Sequence, residues 1–254
     1  MNPILEAKNV SKNYGVYKAL QNVSLKFYEG ETVSIVGPNG AGKTTFVNVL
    51  TGLLTPTIGE VDFCGRSISG VGPVKLSQYG MARAFQLVQI FPQMTVQETI
   101  MSAVISQMGF QYNFWSAASN QKRLLVKAFE VAKIFNLDGK MSWQASYLSQ
   151  GEKKLLDIAS AFALDPKVIL LDEPTSGIST ADKRGIMDTL MQAAKLTGIK
   201  TILLVEHDME LVAEYSTRIV ALAEGKLLAD LPPDEFFASA ELQAQIIGKR
   251  VAHA

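Results

Sequence analysis

Apolar and polar positions change period repeatedly along this chain, and the changes mark its elements. Residues 4–10 and 22–28 read as strands: Leu25 and Phe27 alternate with Lys26 and Tyr28, the period of a half-buried strand. Residues 11–17 hold turn residues and two tyrosines and read as a loop. A short apolar run, Val33-Ser34-Ile35-Val36, precedes a glycine-rich stretch and a helical start at Phe46, and Gly52 ends that helix. Residues 60–63 form a short strand, residues 67–80 are mixed, and residues 81–86 are strand-like and end in an amide. From Thr95 the period becomes helical, with Val96, Ile100 and Val104 on one face. Glu98, three residues after Thr95, predicts a capping box. Residues 110–115 are an aromatic-rich interruption, and residues 121–135 and 149–164 are two further helical segments.

The second half reads more simply. Val168-Ile169-Leu170-Leu171 is a continuous apolar run, as expected of a parallel strand buried on both faces. A helix over 181–197 leads to a second such strand over 201–205, then a helix over 209–215. Residues 218–223 and 226–229 read as a hairpin around Glu224-Gly225, and residues 234–247 as a terminal amphipathic helix. Strands alternating with helices predict an α/β fold with a mainly parallel sheet covered on both faces. The expectation is one domain over residues 1–254. Residues 1–87 and 166–254 would form the α/β core, with an N-terminal antiparallel β subdomain, and about residues 88–165 an inserted helical subdomain.

The glycine-rich stretch is Gly37-Pro38-Asn39-Gly40-Ala41-Gly42-Lys43-Thr44-Thr45. Gly, four residues, then Gly-Lys-Thr between a strand and a helix is the phosphate-loop pattern. Glycines let backbone N–H groups turn toward an anion, and the helix dipole adds to those hydrogen bonds. Lys43 would reach the β- and γ-phosphates of a nucleotide, and the Thr44 hydroxyl would ligate Mg²⁺.

Other candidates lie at strand and helix ends. Asp172-Glu173 closes a buried strand, the edge where open α/β sheets collect ligands. Asp172 there can hold Mg²⁺, and Glu173 can act as a general base on water. His207 follows the next buried strand and could contact a γ-phosphate; His253, in the tail, reads as a solvated residue. Ser149-Gln150-Gly151-Glu152 opens a helix, with Ser149 as N-cap and Glu152 completing a capping box. Such a start can also bind an anion. Tyr14, or alternatively Tyr17, offers a face to a purine base. Gln86, read alone, is an ordinary polar residue at a strand end.

Composition narrows the class. Lys+Arg and Asp+Glu both number 24, so the formal charge is zero, without the basic excess of a nucleic-acid binder. The one cysteine, Cys64, excludes an intrachain disulfide and a cysteine-type metal cluster. No basic segment followed by an apolar stretch opens the chain, so no secretory signal is expected. No apolar run approaches the roughly 20 residues that span a bilayer, so a soluble cytoplasmic chain is expected.

In their order and spacing these pieces resemble the nucleotide-binding subunit of an ATP-binding cassette (ABC) transporter, over nearly the whole chain. Gly37–Thr45 matches the Walker A loop and Val168–Asp172 the Walker B strand. Glu173 falls at the catalytic glutamate, His207 at the switch histidine, Gln86 at the Q-loop glutamine and Tyr14 at the adenine-stacking aromatic. Ser149, Gln150, Gly151 and Glu152 occupy the signature. The resemblance implies ATP hydrolysis with Mg²⁺ held through Thr44, Gln86 and Asp172. It also implies a homodimer or heterodimer that sandwiches two ATP molecules, each loop facing the partner's signature. Further implied are two integral membrane permease subunits, a solute-binding protein, no nucleic acid, and a place on the inner face of the cell membrane. Arg83-Ala84-Phe85-Gln86, Met94-Thr95-Val96-Gln97-Glu98 and Val205–Met209 are similar to the ATPases of branched-chain and hydrophobic amino acid importers, a pattern shared with urea and amide uptake.

Four positions depart from the family pattern. Gln150 and Glu152 stand where the signature carries glycine and glutamine, Ser179 where Asp or Asn is common, and Ser160 where arginine is frequent. Glu152 brings negative charge near a phosphate, which Lys153 or Lys154 would have to offset. These departures keep open a regulatory cassette without turnover. A cassette acting on another macromolecule, or an export ATPase, is the other alternative.

Overall fold

The structure is a computed structural model, and it describes residues 2–84, 90–108 and 117–247. In chain order the strands and helices begin with β1 (Leu5–Tyr14), β2 (Tyr17–Phe27), β3 (Thr32–Val36), α1 (Lys43–Leu50), β4 (Ile58–Phe63), β5 (Arg66–Ser67), α2 (Pro73–Tyr79) and β6 (Met81–Ala84). Then come α3 (Val96–Met108), α4 (Ala117–Ile134), two short 3-10 turns over Asp138–Lys140 and Ala145–Tyr147, and α5 (Gln150–Phe162). The chain continues through β7 (Val168–Asp172), α6 (Thr180–Thr197), β8 (Thr201–Val205), α7 (Met209–Tyr215), β9 (Arg218–Ala223), β10 (Lys226–Leu231), α8 (Pro233–Ala238) and α9 (Ala240–Ile247). These elements divide into two compact units, one of residues 1–76 and 200–254, the other of residues 77–199.

In the first unit, β3 runs parallel to both β8 and β9, and β10 returns antiparallel along β9. All of β8 and four of the five residues of β3 are buried, which explains why both are mostly apolar and do not alternate. Below β9, Phe236 of α8 and Ile246 of α9 pack with Val36, Val212, Ile219 and Ala221. A second, antiparallel sheet has the order β2-β1-β4-β5. Its β1–β2 hairpin is longer than the sequence predicts: residues 11–14 and 17–21 continue the strands, and the turn shrinks to Gly15-Val16. Asn9 and Asn22 have positive φ and break the register. Their N–H groups, taken out of the ladder, donate instead to Ser24 Oγ (2.8 Å) and Ser11 Oγ (2.9 Å).

In the second unit, β6 and β7 pair in parallel, with Arg83 opposite Leu170. Thr95 and Glu98 form the predicted capping box of α3: Thr95 N–H donates to Glu98 Oε2 (2.8 Å) and Glu98 N–H to Thr95 Oγ1 (3.1 Å). The Thr95 N–H, and after it the Thr95 hydroxyl that donates to the same Oε2 at 2.9 Å, hold the Glu98 carboxyl below its usual range. Phe135 and Phe162 meet edge to face at 5.1 Å. The mixed stretch 67–80 contains the helix α2, which the sequence does not predict: its one buried residue, Leu76 of the first unit, is too little to give a period. The predicted terminal helix is two helices, separated at Ser239, the C-cap of α8. Cys64 lies exposed in the β4–β5 turn.

Phe162 is buried and carries the edge-to-face contact. Phe162→Ala is expected to lower unfolding free energy by about 3–5 kcal/mol in a urea titration, the range for a large core side chain removed without collapse.

Candidate nucleotide site

The loop after β3 is shaped by two close approaches of backbone to backbone. A Cβ on Gly37 would sit 2.2 Å from the Leu222 carbonyl oxygen of β9, and one on Gly42 would sit 2.6 Å from the Ala19 carbonyl oxygen of β2. Both residues also have positive φ, 153° and 97°. Gly40 turns with φ 79° but has open space around it. The β9–β10 turn braces the same loop: Gly225 N–H donates to Ala41 O (3.1 Å), and Gln21 N–H of β2 donates to Gly225 O (2.7 Å). Sequence reasoning missed this brace, because Glu224-Gly225 reads only as a hairpin turn.

The charge of the loop is built in. Lys43 is 7% exposed, and its ammonium donates to Gly37 O (2.7 Å) and Pro38 O (3.1 Å). The first turn of α1 carries no acidic side chain, so the positive end of the helix is unopposed. Thr44 is exposed at that turn, beside half-buried Thr45, while Pro38 and Asn39 face solvent and Ala41 is buried. This arrangement offers N–H donors, an ammonium and a hydroxyl to an oligophosphate.

Two other candidates share the first unit. His207 is exposed just past β8, on a turn held by buried Glu206, whose Oε2 accepts from the His207 N–H at 3.0 Å. The apolar run gave no sign that Glu206 would fold back on its own backbone. Asp208 caps α7 by accepting from Glu210 N–H at 3.2 Å. Tyr14 ends β1, 48% exposed and paired with Tyr17 across the turn, with the Lys12 ammonium 5.6 Å from its ring centroid. Both tyrosine rings are open to solvent; the lysine backs Tyr14.

The second unit carries the carboxylates. Asp172 is the last residue of β7, and its Oδ2 accepts from Arg83 NH2 of β6 at 2.6 Å, with both side chains under 10% exposed. The sequence marks Arg83 only as part of a family motif; the pairing of β6 with β7 makes it a cation that balances Asp172. Glu173, half-buried, has φ 49°, a left-handed conformation that costs a bulky residue about 1–3 kcal/mol. Ser176 N–H donates to its carbonyl at 3.1 Å, so the strand ends in a tight turn. Thr44 in the first unit and Asp172 in the second each carry a hard oxygen, the donor type that Mg²⁺ takes. Among the described residues no cluster of three or more His, Cys, Asp or Glu forms a separate metal site. Gln86 and His253 lie outside the described residues.

At the start of α5, Ser149 is the N-cap and the predicted capping box is present. Ser149, Gln150 and half-buried Gly151 form the exposed first turn. The Glu152 carboxylate pairs with Lys140, from the 3-10 turn, and not with Lys153 or Lys154 as expected. One and two residues along a helix side chains diverge, and Lys154 points into the core. Lys140 and the Ser149 N–H hold the Glu152 carboxyl below its ordinary range, the lysine having the larger effect. Ser179 precedes α6 at the N-cap position without a side-chain capping bond, and its Oγ donates to Asp182 Oδ2 at 2.6 Å.

Gly42→Ala is expected to weaken nucleotide binding by about tenfold or more in a fluorescent-nucleotide titration, since it adds a clash to a strained φ. Gly40→Ala, strained but unobstructed, should lose less; equal losses would mean that the approach to Ala19 is unimportant.

Comparison with known proteins accords with this geometry. Residues 20–176 match the family model described as ABC transporter. The chain is 34% identical over 245 residues to the high-affinity branched-chain amino acid transport ATP-binding protein LivG of Salmonella typhimurium, covering 92% of this chain and 93% of that protein. It is 32% identical over 232 residues to a probable branched-chain amino acid transport ATP-binding protein LivG of Methanocaldococcus jannaschii, covering 89% of each. Among solved structures, a nucleotide-free ATP-binding cassette from an ABC transporter superposes with TM-score 0.81 at 29% identity, covering 94% of this chain and 97% of the other. A dimeric cassette in a post-hydrolysis state bound to ADP and Pi gives TM-score 0.76 at 28% identity, over 90% and 98% of the two chains. Among the described residues no helix is long and apolar enough to cross a membrane. The match spans the phosphate loop, β7 and the Ser149 turn in one frame, and the chain belongs to the ABC transporter family as a nucleotide-binding ATPase subunit.

Proposed function

We propose that this ATPase dimerises around two Mg-ATP molecules and powers import of branched-chain amino acids, or a related small solute such as urea or an amide. The observation that carries hydrolysis is Glu173: a carboxylate in a strained left-handed conformation, directly after the Arg83-paired Asp172. Strain of that kind is kept where surroundings fix a side chain for chemistry. The import reading is supported by the printed functions of the relatives, at 31–34% identity over most of this chain.

In this reading Gly37, Pro38, Asn39, Gly40, Ala41 and Gly42 wrap the phosphates with their backbone, and Lys43 neutralises the β- and γ-oxygens. Thr45 supports the first turn, and Tyr14 stacks on adenine. Thr44, Asp172 and Gln86 hold Mg²⁺, which when bound withdraws charge from the phosphates. Arg83 keeps the Asp172 carboxylate fixed. Glu173 takes a proton from the attacking water, and His207 contacts the γ-phosphate and orients the water. Ser149, Gln150, Gly151 and Glu152 meet the ATP held by the second subunit's loop, so ATP joins the dimer it fuels. About residues 88–165 form a helical subdomain inserted between core segments 1–87 and 166–254. That subdomain and Gln86 pass the motion to two separate permease subunits at the inner face of the cell membrane, fed by a solute-binding protein.

Glu173→Gln is expected to lower ATP turnover by about 10²–10⁴-fold, the contribution of a general base, with ATP affinity retained. Full turnover in that variant would sink the assignment. Co-purification with membrane subunits, and ATPase stimulation by branched-chain amino acids in the reconstituted complex, tests the import reading. Association with ribosomes or DNA instead would overturn it.

A further inference from the structure

Glu152 presents a problem in charge. It lies in the first turn of α5, the turn proposed to meet a phosphate of ATP. An ionised carboxylate there competes for the positive end of the helix and repels the ligand. Both of its oxygens are engaged. Oε2 accepts from the Ser149 N–H at 2.9 Å, and Oε1 accepts from the Lys140 ammonium.

Lys140 is itself held. It ends the 3-10 turn Asp138–Lys140, and its carbonyl accepts from Trp143 N–H at 2.9 Å. Its ammonium lies 4.8 Å from the centroid of the Trp143 ring, a cation–π distance. Lys140 and Glu152 are 32% and 28% exposed, so the pair is only partly screened by water. The Ser149 Oγ accepts from Glu152 N–H at 3.3 Å. That bond uses a lone pair, and the hydroxyl proton remains able to donate to an anion.

We propose that Lys140 is a positioning residue for the phosphate-facing turn: it cancels the charge of Glu152 and holds the capping box so that Ser149 Oγ and Gly151 N–H can meet ATP. The role rests on the reading that residues 149–152 contact nucleotide. The pairing replaces a neutral amide at position 152 with an ion pair reaching in from outside the helix. Trp143 restricts where the ammonium can go, so the charge is neutralised in one geometry.

The test is a double-mutant cycle on steady-state ATPase activity of the full-length chain, with thermal unfolding followed for every variant. Lys140→Met is expected to lower kcat/KM by about three- to fivefold, the upper end for one partly screened ion pair. Lys140→Arg, which keeps the charge, should recover most of it. In a Glu152→Gln background, Lys140→Met should cost less than about twofold, because no charge is left to cancel. An equal loss in both backgrounds would mean that Lys140 is merely structural, and overturns the proposal. So does an unchanged kcat/KM in Lys140→Met. Ser149→Ala separates the two levels. If it leaves activity unchanged, the signature reading itself fails; if it lowers activity while Lys140→Met does not, only the role of Lys140 fails.

Discussion

The backbone of residues 37–42 passes so close to the carbonyls of Leu222 and Ala19 that no side chain fits at Gly37 or Gly42. Much of the first unit follows from that approach. β9 must lie beside β3 to place Leu222 there, and β2 must cross near α1 to place Ala19. The β9–β10 turn then closes on Ala41 through the Gly225 N–H. A phosphate loop works through main-chain N–H groups, whose directions are set by the path of the chain. A path held by two neighbouring strands does not reorganise when charge arrives, and preorganised dipoles of this kind stabilise charge most effectively.

The second unit solves a different problem, the burial of carboxylates. Asp172 ends a strand that is buried along its whole length, where an uncompensated charge would be costly. Arg83, on the adjacent parallel strand, supplies the compensation at 2.6 Å. Glu173 lies one residue further on, where the strand turns, and its left-handed backbone redirects the chain. The two carboxylates are thus one residue apart in sequence but differ in environment.

Charged helix starts are handled in two ways here. At α3, Glu98 is satisfied locally by Thr95, and nothing else is required. At α5 the same capping box carries a further partner, Lys140, from a separate turn stacked on Trp143. The extra partner occurs at the start proposed above to face phosphate. Departures at Glu152 and Ser179 are each accompanied by a polar contact, with Lys140 and Asp182 respectively.

The sequence by itself determined the features that depend on short spacing. The phosphate loop, the Asp172-Glu173 strand end, both capping boxes and most of the longer strands and helices are local, because each is set by residues within one turn or one element. The long β1–β2 hairpin was not legible, since Asn9 and Asn22 break its alternation and read as loop residues. The helix α2 shows one buried side chain and no period. The tertiary structure alone decided which distant groups support the site. Gly225 braces the loop from nearly two hundred residues away, Arg83 reaches Asp172 across a strand pair, and Lys140 takes Glu152 ahead of its closer lysines. Hydrogen bonds and ion pairs are fixed by distance in space, and helix geometry turns Lys153 and Lys154 away from the very residue they adjoin.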